Sequence, residues 1–359
     1  MTAAALGDGV DFALLGHQES WDQIATIVRS LRPRDSEPVS LGDIRSIVPW
    51  IPARTVSRVQ VRSLLADAPV RGVYIDTFIT PDELRHMSVR SMLTKVKAAA
   101  RVAEREGARI ASLGGFTSIL LEGGLQGLSD RVVFTTGNSL TAALVVNGVE
   151  RAAGQLGLSL ERATCLVIGG TGDVGSACAR WLGPRVQRLL LAARPQGRLD
   201  TAVEALRHGG TNAVAVADLS AALGEADVIV SVASTSEAAF DLSLARHDAL
   251  ICDAGYPKNL RPGSHVRPHL FHGGLGRSLG RFWSDDGMLE RFYAFPLDYV
   301  GHGCMLEGLL LAVAGRYEPF SQGRGNITAD RIDEIWTLAA AHGFVLAPFF
   351  NHDGLWPAP

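Results

Sequence analysis

Cys304 is the side chain whose position most clearly suggests nucleophilic chemistry. It lies in Tyr-Val-Gly-His-Gly-Cys-Met-Leu-Glu-Gly-Leu-Leu (residues 299–310), where a glycine-rich loop becomes an apolar helix pattern. At a helix N-terminus, unpaired N–H groups and the helix dipole favour a thiolate and can stabilise an oxyanion. The pattern predicts covalent catalysis by Cys304, and the alternative is a cysteine selected for its small size. The other three cysteines fall in predicted strands and a helix, where a thiol packs as a small hydrophobe.

Two polar residues flank this cysteine. Glu307 lies one helical turn further on and on the same face, where it either orients or tunes the thiol or simply suits the helix dipole. His302 precedes the cysteine by two residues, and imidazole is the side chain whose ordinary pKa lies near neutral pH. It is a candidate for acid–base work beside the thiol, and the alternative is a histidine in a solvated loop.

A glycine motif between a short apolar strand and a helix pattern predicts a dinucleotide site. The first glycine permits a tight turn, the second lets the backbone approach a pyrophosphate, and the helix N-terminus attracts its charge. The alternative is a glycine-rich turn that binds nothing. The residues expected to contact the cofactor here are Gly170, Thr171, Gly172, Asp173, Val174 and Gly175.

The end of the second strand of this unit indicates which dinucleotide binds. The run Leu-Leu-Leu-Ala-Ala-Arg-Pro (residues 189–195) offers Arg194, with Arg198 nearby and no carboxylate. An arginine at this place pairs with a 2′-phosphate, so the sequence predicts NADP(H). Ser234 and Tyr256, after later strands, are further cofactor candidates. Lys258 is a catalytic candidate beside the crevice, or else part of a turn.

Polar loops after two earlier strands are candidates for substrate binding. Ligands in open α/β sheets bind outside the carboxyl ends of the strands. We therefore expect both loops to face the substrate or the nicotinamide. The residues are Gly115, Phe116, Thr117, Ser118, Thr136 and Asn138.

Alternating strand and helix patterns predict an α/β protein of three parts. We expect an N-terminal α/β substrate domain (residues 1–158), a central Rossmann domain (159–298) and a C-terminal helical segment with the cysteine (299–359). Early elements include a strand at 10–16, a helix at 20–31 with Ser20 as N-cap, and a long helix at 81–106. The substrate is expected to bind between the first domain and the cofactor crevice.

Composition sets bounds on the class of protein. The 359 residues carry a net charge of −3, which gives no indication of nucleic-acid binding. No signal peptide pattern is visible, and no apolar run approaches the ~20 residues of a membrane span. The four cysteines form no metal-type pair, and we expect reduced thiols in a cytoplasmic enzyme without a metal.

Several unusual strings, in the same order, resemble the NADPH-dependent long-chain acyl-[acyl-carrier-protein] reductases, which form fatty aldehydes. The resemblance covers nearly the whole chain. The strings include Gly-Gly-Phe-Thr-Ser (114–118), Phe-Thr-Thr-Gly-Asn (134–138), Gly-Thr-Gly-Asp-Val-Gly-Ser (170–176), Asp-Ala-Gly-Tyr-Pro-Lys-Asn (253–259), Cys-x-x-Glu (304–307) and Gly-Arg-Gly-Asn-Ile-Thr (323–328).

The resemblance implies that Cys304 attacks an acyl thioester and that NADPH reduces the acyl-enzyme to an aldehyde. It implies acyl carrier protein or acyl-CoA as donor and suggests an aldehyde-consuming enzyme as a partner. The arginines at 261, 267, 277 and 281 would attract an acidic carrier, or they belong to a solvated loop.

The sequence also departs from its relatives. Leu140 and Ala143 replace the histidine and tyrosine that are usual there, and His302 stands where an apolar residue is usual. The sequence therefore does not define the acyl chain length or type. An alternative function is the reduction of another carrier-bound acyl or carbonyl group. A noncatalytic NADP-binding sensor is an alternative from a different class, which the intact Cys304 and Glu307 argue against.

Overall fold

The computed structural model describes residues 9–33, 36–65, 68–86, 88–115, 117–118, 127–233, 240–256, 258, 260, 269–288 and 295–356. Seventeen strands are assigned in this part of the chain. They are β1 (Phe12–Gly16), β2 (Arg54–Arg62), β3 (Val70–Asp76), β4 (Ile110–Leu113), β5 (Val133–Thr135), β6 (Thr164–Ile168), β7 (Arg188–Ala192), β8 (Ala213–Ala215), β9 (Val228–Ser231), β10 (Leu250–Asp253), β11 (His269–His272), β12 (Leu275–Ser278), β13 (Arg281–Ser284), β14 (Val300–His302), β15 (Phe344–Leu346), β16 (Phe350–Asn351) and β17 (Gly354–Leu355).

The α-helices of the described residues alternate with these strands. They are α1 (Trp21–Ser30), α2 (Leu41–Ile47), α3 (Pro81–His86), α4 (Val89–Arg105), α5 (Asn138–Gln155), α6 (Asp173–Leu182), α7 (Gln196–His208), α8 (Leu219–Glu225), α9 (Gly303–Val313) and α10 (Ala329–Ala341). The expected α/β class is confirmed.

Two compact units divide the described residues. Unit 1 comes from Met1–Gly137, Ser278–Gly323 and Ala341–Phe344; unit 2 comes from Asn138–Arg277, Arg324–Ala340 and Val345–Pro359. This division differs from the expected domain boundaries. Helix α5 packs on α6 and β10 and so belongs to unit 2, and the C-terminal stretch, which also carries β14 to β17, is shared between the units. The boundaries at 158 and 298 stay a prediction about folding domains.

Unit 1 contains a six-stranded sheet in the order β13-β2-β3-β1-β4-β5. Strands β3, β1, β4 and β5 are parallel, whereas β2 is antiparallel to both β3 and β13. The core residues of β1, β3 and β4 are buried beneath α4, and α9 packs on β1 and β4. The carboxyl ends of the four parallel strands therefore lie along one edge.

Unit 2 contains a six-stranded sheet in the order β11-β10-β9-β6-β7-β8, parallel throughout. This is the strand order of a complete dinucleotide-binding fold, with the order reversing between β6 and β9. All six strands lie within residues 159–298, where the sequence predicted a Rossmann domain. Strand β11 lies between Arg267 and Arg277, arginines for which a solvated loop was one expectation.

Smaller sheets complete the described structure, in the orders β14-β12-β15 and β16-β17. The C-terminal hairpin of β16 and β17 packs on β11, where the Asn351 side-chain amide donates to the Leu270 carbonyl at 3.0 Å. The C-terminal segment, expected to be helical, therefore also contributes strands to unit 2.

Local capping explains where several helices begin. Ser20 accepts from the Gln23 backbone N–H and Gln23 returns the contact, as a capping box does. The predicted long helix at 81–106 is wrong as a single element. Ser88 caps a new helix by accepting from the Ser91 N–H, so α3 and α4 are separate.

Candidate active site

Cys304 occupies the first turn of α9, as the sequence predicted. The helix begins at Gly303 with His302 as its N-cap, and no side chain supplies a cap hydrogen bond there. Cys304 is half-buried, whereas the other three free cysteines are buried. Burial raises the pKa of Cys165 to about 12 and raises the pKa values of Cys178 and Cys252 as well. Cys304 is thus the cysteine that combines partial exposure with a helix N-terminus.

Strand β4 holds the beginning of α9 through Ser112. Its hydroxyl donates to the Met305 carbonyl at 3.3 Å and accepts from the Gly308 N–H at 2.9 Å. Ser112 is fully buried, so both bonds are made away from water. The serine therefore fixes the turn that carries Cys304.

Glu307 is fully buried and lies one turn after the cysteine. Its carboxylate accepts hydrogen bonds from the hydroxyl of Thr135, at the end of β5, and from that of Ser321 at 2.9 Å. The Ser321 N–H in turn donates to the Thr135 hydroxyl at 3.1 Å. A buried carboxylate with these partners anchors α9 to β5 and to the loop after the helix. Its assignment as catalytic stays a prediction.

The loop after β5 contacts the backbone of Cys304 directly. Gly137 has φ +72°, and a Cβ added to it would lie 2.2 Å from the Cys304 carbonyl oxygen and 2.3 Å from its Cα. Only glycine fits this contact. The preceding Thr136 is buried, and its hydroxyl has no hydrogen-bond partner among the described residues. A polar group of this kind calls for an explanation, and a ligand is one.

The loop after β4 lies against the same turn of α9. A Cβ at Gly114 would be 2.7 Å from the Met305 sulfur. The Thr117 and Ser118 hydroxyls donate to the carbonyls of Gly114 and Gly115 at 2.7 and 2.8 Å. These bonds shape the loop and use the hydroxyl protons, so substrate contact by Gly115, Thr117 and Ser118 stays a prediction. Phe116 lies outside the described residues.

His302 is half-buried at the cap of α9. Its ring packs edge-on against Phe295, with the ring centroids 5.6 Å apart. The packing is that of a fixed side chain rather than a freely solvated one. The acid–base role suggested by its sequence position stays a prediction.

The sequence analysis missed a buried carboxylate at the end of β3. Asp76 accepts from the Gln18 side-chain amide at 2.8 Å and from the Phe78 N–H at 2.7 Å, and burial raises its pKa to about 6. His17, after β1, is also buried, which lowers its pKa to about 4. The signal available was an acid directly after the apolar run 73–75. Only the pairing of β3 with β1 brings the two strand ends together.

In unit 2, the glycine motif forms the turn between β6 and α6. The helix begins at Asp173 with Gly172 as N-cap and no side-chain cap. A Cβ at Gly175 would lie 2.2 Å from the Gly169 carbonyl oxygen, so the turn closes tightly on the helix. A helix N-terminus without a side-chain cap, directly after the first strand of this sheet, fits a dinucleotide pyrophosphate. Thr171 and Val174 flank this turn and are half-buried.

Asp173 and Asn138, assigned to cofactor and substrate by sequence, contact each other. The Asn138 amide donates to one Asp173 oxygen at 2.8 Å, and the Gly325 N–H donates to the other at 3.0 Å. This carboxylate ties the starts of α5 and α6 to the 323–328 segment. Their ligand contacts stay predictions. Leu140 and Ala143, the departures from the expected pattern, are both buried in α5.

Arg194 lies two residues after the end of β7 and is exposed, as is Arg198 in the first turn of α7. A dinucleotide fold places the adenosine ribose near the end of its second strand, and pairing of these arginines with a 2′-phosphate stays a prediction. Ser234, the candidate after β9, lies outside the described residues.

The loop after β10 is organised by Asp253. Its carboxylate accepts from the N–H groups of Gly255 at 3.1 Å and Leu260 at 3.2 Å. The Lys258 ammonium donates to the Gly255 carbonyl at 2.8 Å, and Tyr256 lies half-buried between them. Lys258 therefore has at least a structural role in this turn. The roles proposed for Lys258 and Tyr256 in catalysis and cofactor binding stay predictions.

No protein-family model matches the chain. A long-chain acyl-[acyl-carrier-protein] reductase from Synechococcus elongatus is 33% identical over 347 residues, covering 93% of this chain and 98% of that protein. The chain belongs to the long-chain acyl-[acyl-carrier-protein] reductase family. The resemblance seen in the sequence is thereby confirmed, and the protein is an oxidoreductase, as expected.

Other similarities are more distant. The aminotransferase PigE of Serratia sp. is 24% identical over 270 residues, which cover 73% of this chain and 31% of that protein. Quinate dehydrogenase from Corynebacterium glutamicum in complex with NAD matches 85% of this chain and 99% of its own, at 15% identity and a TM-score of 0.37. Glutamyl-tRNA reductase from Methanopyrus kandleri matches 89% and 77%, at 18% identity and a TM-score of 0.28.

Membership of a reductase family, together with the parallel six-stranded sheet of unit 2, indicates a nicotinamide cofactor. In the described ranges, no helix is both long and apolar enough to cross a bilayer. The same residues contain no group of three or more histidine, cysteine or acidic side chains that could hold a metal ion. A cytoplasmic location stays a prediction.

Proposed function

We propose that this protein reduces an acyl thioester to an aldehyde with NADPH, through an acyl group carried on Cys304. The observation that supports this most strongly is the half-exposed thiol in the first turn of α9, among buried cysteines. Its family relative is named as a reductase of acyl-[acyl-carrier-protein]. A reductase that holds a positioned thiol can accept an acyl group by thioester exchange before reducing it.

The first step is acyl transfer to sulfur. The Cys304 thiolate attacks the thioester carbonyl, the carbon–sulfur bond to the carrier breaks, and the carrier leaves as a thiol after taking up a proton. Backbone N–H groups at the start of α9 stabilise the thiolate and the oxyanion. The acyl group then rests on the enzyme as a new thioester.

The second step releases the aldehyde. NADPH supplies a hydride to the carbonyl carbon of the acyl-cysteine. The resulting hemithioacetal oxyanion re-forms a carbonyl while the bond to sulfur breaks, and Cys304 returns as a thiolate. The sum is acyl thioester, NADPH and a proton giving aldehyde, free thiol and NADP⁺. Because aldehydes are reactive, an enzyme that consumes them would act next.

Thr136 is our candidate for binding the carbonyl oxygen. Its buried hydroxyl has no partner among the described residues, and the next residue contacts the Cys304 backbone. A hydroxyl aimed at the developing oxyanion would stabilise both steps. This assignment refines the substrate contact expected from the sequence.

We propose NADPH rather than NADH because Arg194 and Arg198 are exposed at the end of β7. Either guanidinium can pair with a 2′-phosphate. Replacing both by alanine should raise the KM for NADPH at least tenfold and leave that for NADH within twofold. Equal changes with the two cofactors would contradict the assignment.

The test of the proposed function is intact-mass spectrometry. Protein mixed with an acyl thioester and no NADPH should gain one acyl group, and addition of NADPH should remove it as aldehyde. Cys304→Ala should gain none, whereas Cys165→Ala, a change at a buried cysteine, should still be acylated. An active Cys304→Ala protein would refute the role of this residue.

A panel of acyl donors defines the substrate within the same experiment. Leu140 and Ala143, the departures from the expected pattern, are buried in α5. The rates of acylation across the panel therefore define which acyl chain lengths and types the protein accepts. Acyl carrier protein and acyl-CoA donors of equal chain length distinguish the two carriers. Cofactor binding without any acyl transfer would favour the noncatalytic sensor.

A further inference from the structure

A like-charge pair stands at the end of the antiparallel ladder in unit 1. Arg62, the last residue of β2, lies directly opposite Arg281, the first residue of edge strand β13. Arg71 on β3 lies opposite Gln60, which places it diagonally from Arg62 on the same face. All three arginines are exposed.

This arrangement costs free energy in the isolated protein. Like charges directly opposite in an antiparallel pair are destabilising. None of the three arginines makes an ion pair with a described residue. Arg281 makes a cation–π contact instead, with its guanidinium carbon 5.4 Å from the Trp283 ring centroid. The face is therefore suited to a negatively charged partner, which would offset the repulsion.

Exposed leucines adjoin the arginine pair. Leu64 and Leu65 follow β2 and are 58% and 69% exposed, and Leu279 precedes β13 and is 52% exposed. A Cβ at Gly280 would lie 1.9 Å from the Arg62 carbonyl oxygen, so the two loops are side by side. Apolar side chains clustered beside charges are typical of protein interaction sites.

The loop that presents the leucines is held in place. The Leu65 N–H donates to the Ser63 hydroxyl at 3.0 Å, and that hydroxyl is also 3.0 Å from His342 Nδ1. Because these bonds hold Ser63 and Leu65 before any partner arrives, less ordering entropy is lost at these residues on binding.

A backbone hydrogen bond links this corner of unit 1 to a residue that lies five positions before the nucleophile. The Ser278 N–H, one residue before Leu279, donates to the Tyr299 carbonyl at 3.0 Å. From Tyr299 to Cys304 the chain advances five residues, which span at most about 17 Å when fully extended. A flexible arm from a partner bound here could reach the thiol.

We propose that Arg62, Arg71, Arg281, Leu64, Leu65 and Leu279 form a docking patch for the carrier protein that delivers the acyl group. The patch fits an acidic protein surface that also presents an apolar residue. This inference rests on the proposed function, since it names the partner of that reaction. Of the arginines expected from the sequence to attract a carrier, Arg281 belongs to the patch and Arg277 is half-buried. Residues 261 and 267 lie outside the described residues.

Binding of apo acyl carrier protein, which has neither acyl group nor thiol, tests the patch without any chemistry. Arg62→Glu/Arg281→Glu should weaken binding at least tenfold by fluorescence anisotropy. The matched control Arg90→Glu/Arg101→Glu changes the same charge on the exposed face of α4 and should stay within twofold. Leu65→Ser/Leu279→Ser should also weaken binding. Added salt should reduce the difference in carrier affinity between wild type and the arginine variant, because it screens the charges.

Activity with acyl-CoA separates failure of the patch from failure of the function. The arginine variant should keep wild-type kcat/KM for acyl-CoA and lose at least tenfold for acyl carrier protein. Equal carrier binding by wild type and variant overturns the patch, as does an equal loss with both donors. If the arginine variant changes its oligomeric state while its carrier binding is unchanged, the docking proposal is also overturned. Edge strand β13 would then be a site of self-association. A wild-type protein that binds carrier but forms no aldehyde refutes the proposed function instead.

Discussion

Two adjacent threonines at the end of β5 have opposite hydrogen-bonding environments. The Thr135 hydroxyl is bonded to Glu307 and to the Ser321 N–H, whereas the Thr136 hydroxyl has no partner among the described residues. A hydrogen bond to a charged group contributes about 1.5–3 kcal/mol. The first hydroxyl therefore supports the fold, whereas the second makes no such bond with a described residue.

We expect Thr135→Val and Thr136→Val to separate stability from catalysis. Thr135→Val should lower the free energy of unfolding by about 2 kcal/mol, since it leaves a buried carboxylate short of a donor. Thr136→Val should change it by less than about 0.5 kcal/mol and lower kcat about 100-fold, as loss of an oxyanion donor does. Urea unfolding and steady-state kinetics measure both. Wild-type kcat in the Thr136 variant would remove it from the site.

Burial of His17 makes stability depend on pH. Its pKa falls from 6.5 in the unfolded chain to about 4 in the folded protein. As pH falls from 6.5 towards 4, the unfolded chain takes up a proton that the folded protein does not, so stability decreases. Between pH 7.5 and pH 5, the titration of His17 should lower the free energy of unfolding by about 2 kcal/mol.

The His17→Gln variant should lose that part of the pH dependence. Urea unfolding at pH 7.5 and pH 5 should show a smaller difference in the variant than in wild type. His208→Gln, at an exposed position at the end of α7, should behave as wild type. Identical pH dependence in all three proteins would show that His17 does not titrate as its burial requires.

Cys304 could be recognised from the sequence, because its position depends on a local pattern of loop and helix. The residues that position it could not. Ser112 bonds to Met305 across 193 residues, and Thr135 bonds to Glu307 across 172. Such pairs depend on strand order, which periodicity does not specify. The same limit explains why Asp76 was missed.

At the scale of elements, the junction between β5 and α5 is a close contact rather than a simple linker. Gly137 ends the loop against Cys304, and α5 starts at the next residue. By contrast, Gly154 near the end of α5 is exposed, with nothing within 4 Å of an added Cβ. The two glycines therefore differ in what an alanine would do.

Gly137→Ala should lower the free energy of unfolding by about 2 kcal/mol or more and slow acylation of Cys304 at least tenfold. Gly154→Ala should raise stability by about 0.5–1 kcal/mol, since alanine restricts the unfolded chain and favours helix, and leave acylation unchanged. Thermal unfolding and the rate of mass gain test the pair. Equal rates of acylation in the two variants would show that the contact between Gly137 and Cys304 does not affect acylation.

Elements with strong local signals were predicted well. The capping box at Ser20 and the glycine turn before α6 each specify a helix start through nearby side chains. Strand β2 was not recognised, although it alternates Arg-Thr-Val-Ser-Arg-Val-Gln-Val-Arg. Strand β11 has only four residues, with histidine at each end. Its strand character depends on pairing with β10, which the local sequence does not show.

At the scale of the whole molecule, the proposed nucleophile and the predicted cofactor site lie in different units. Cys304, Ser112, Thr135 and Glu307 lie in unit 1, whereas the glycine turn lies in unit 2. We therefore expect acyl transfer to proceed without cofactor. Gly175→Val, which places bulk against the Gly169 carbonyl, should abolish aldehyde formation but keep the mass gain of one acyl group.

Gly197→Ala in α7, where an added Cβ has open space, should retain both steps. Wild-type protein without NADPH should be acylated to the same extent as Gly175→Val. A folded Gly175→Val protein that cannot be acylated would show that the two steps are not separable.

The discontinuity of unit 1 has a consequence for synthesis of the protein. Its segments end at Gly137, Gly323 and Phe344, with most of unit 2 encoded between the first two. At a translation rate of 5–20 residues per second, roughly 10–40 s pass between emergence of Gly137 and of Gly323. During that interval, the nascent faces of β1 and β4 lack α9 to cover them. Ribosome-bound chains of this protein should therefore depend on chaperones that shield apolar segments until the last turn of α9 has been translated.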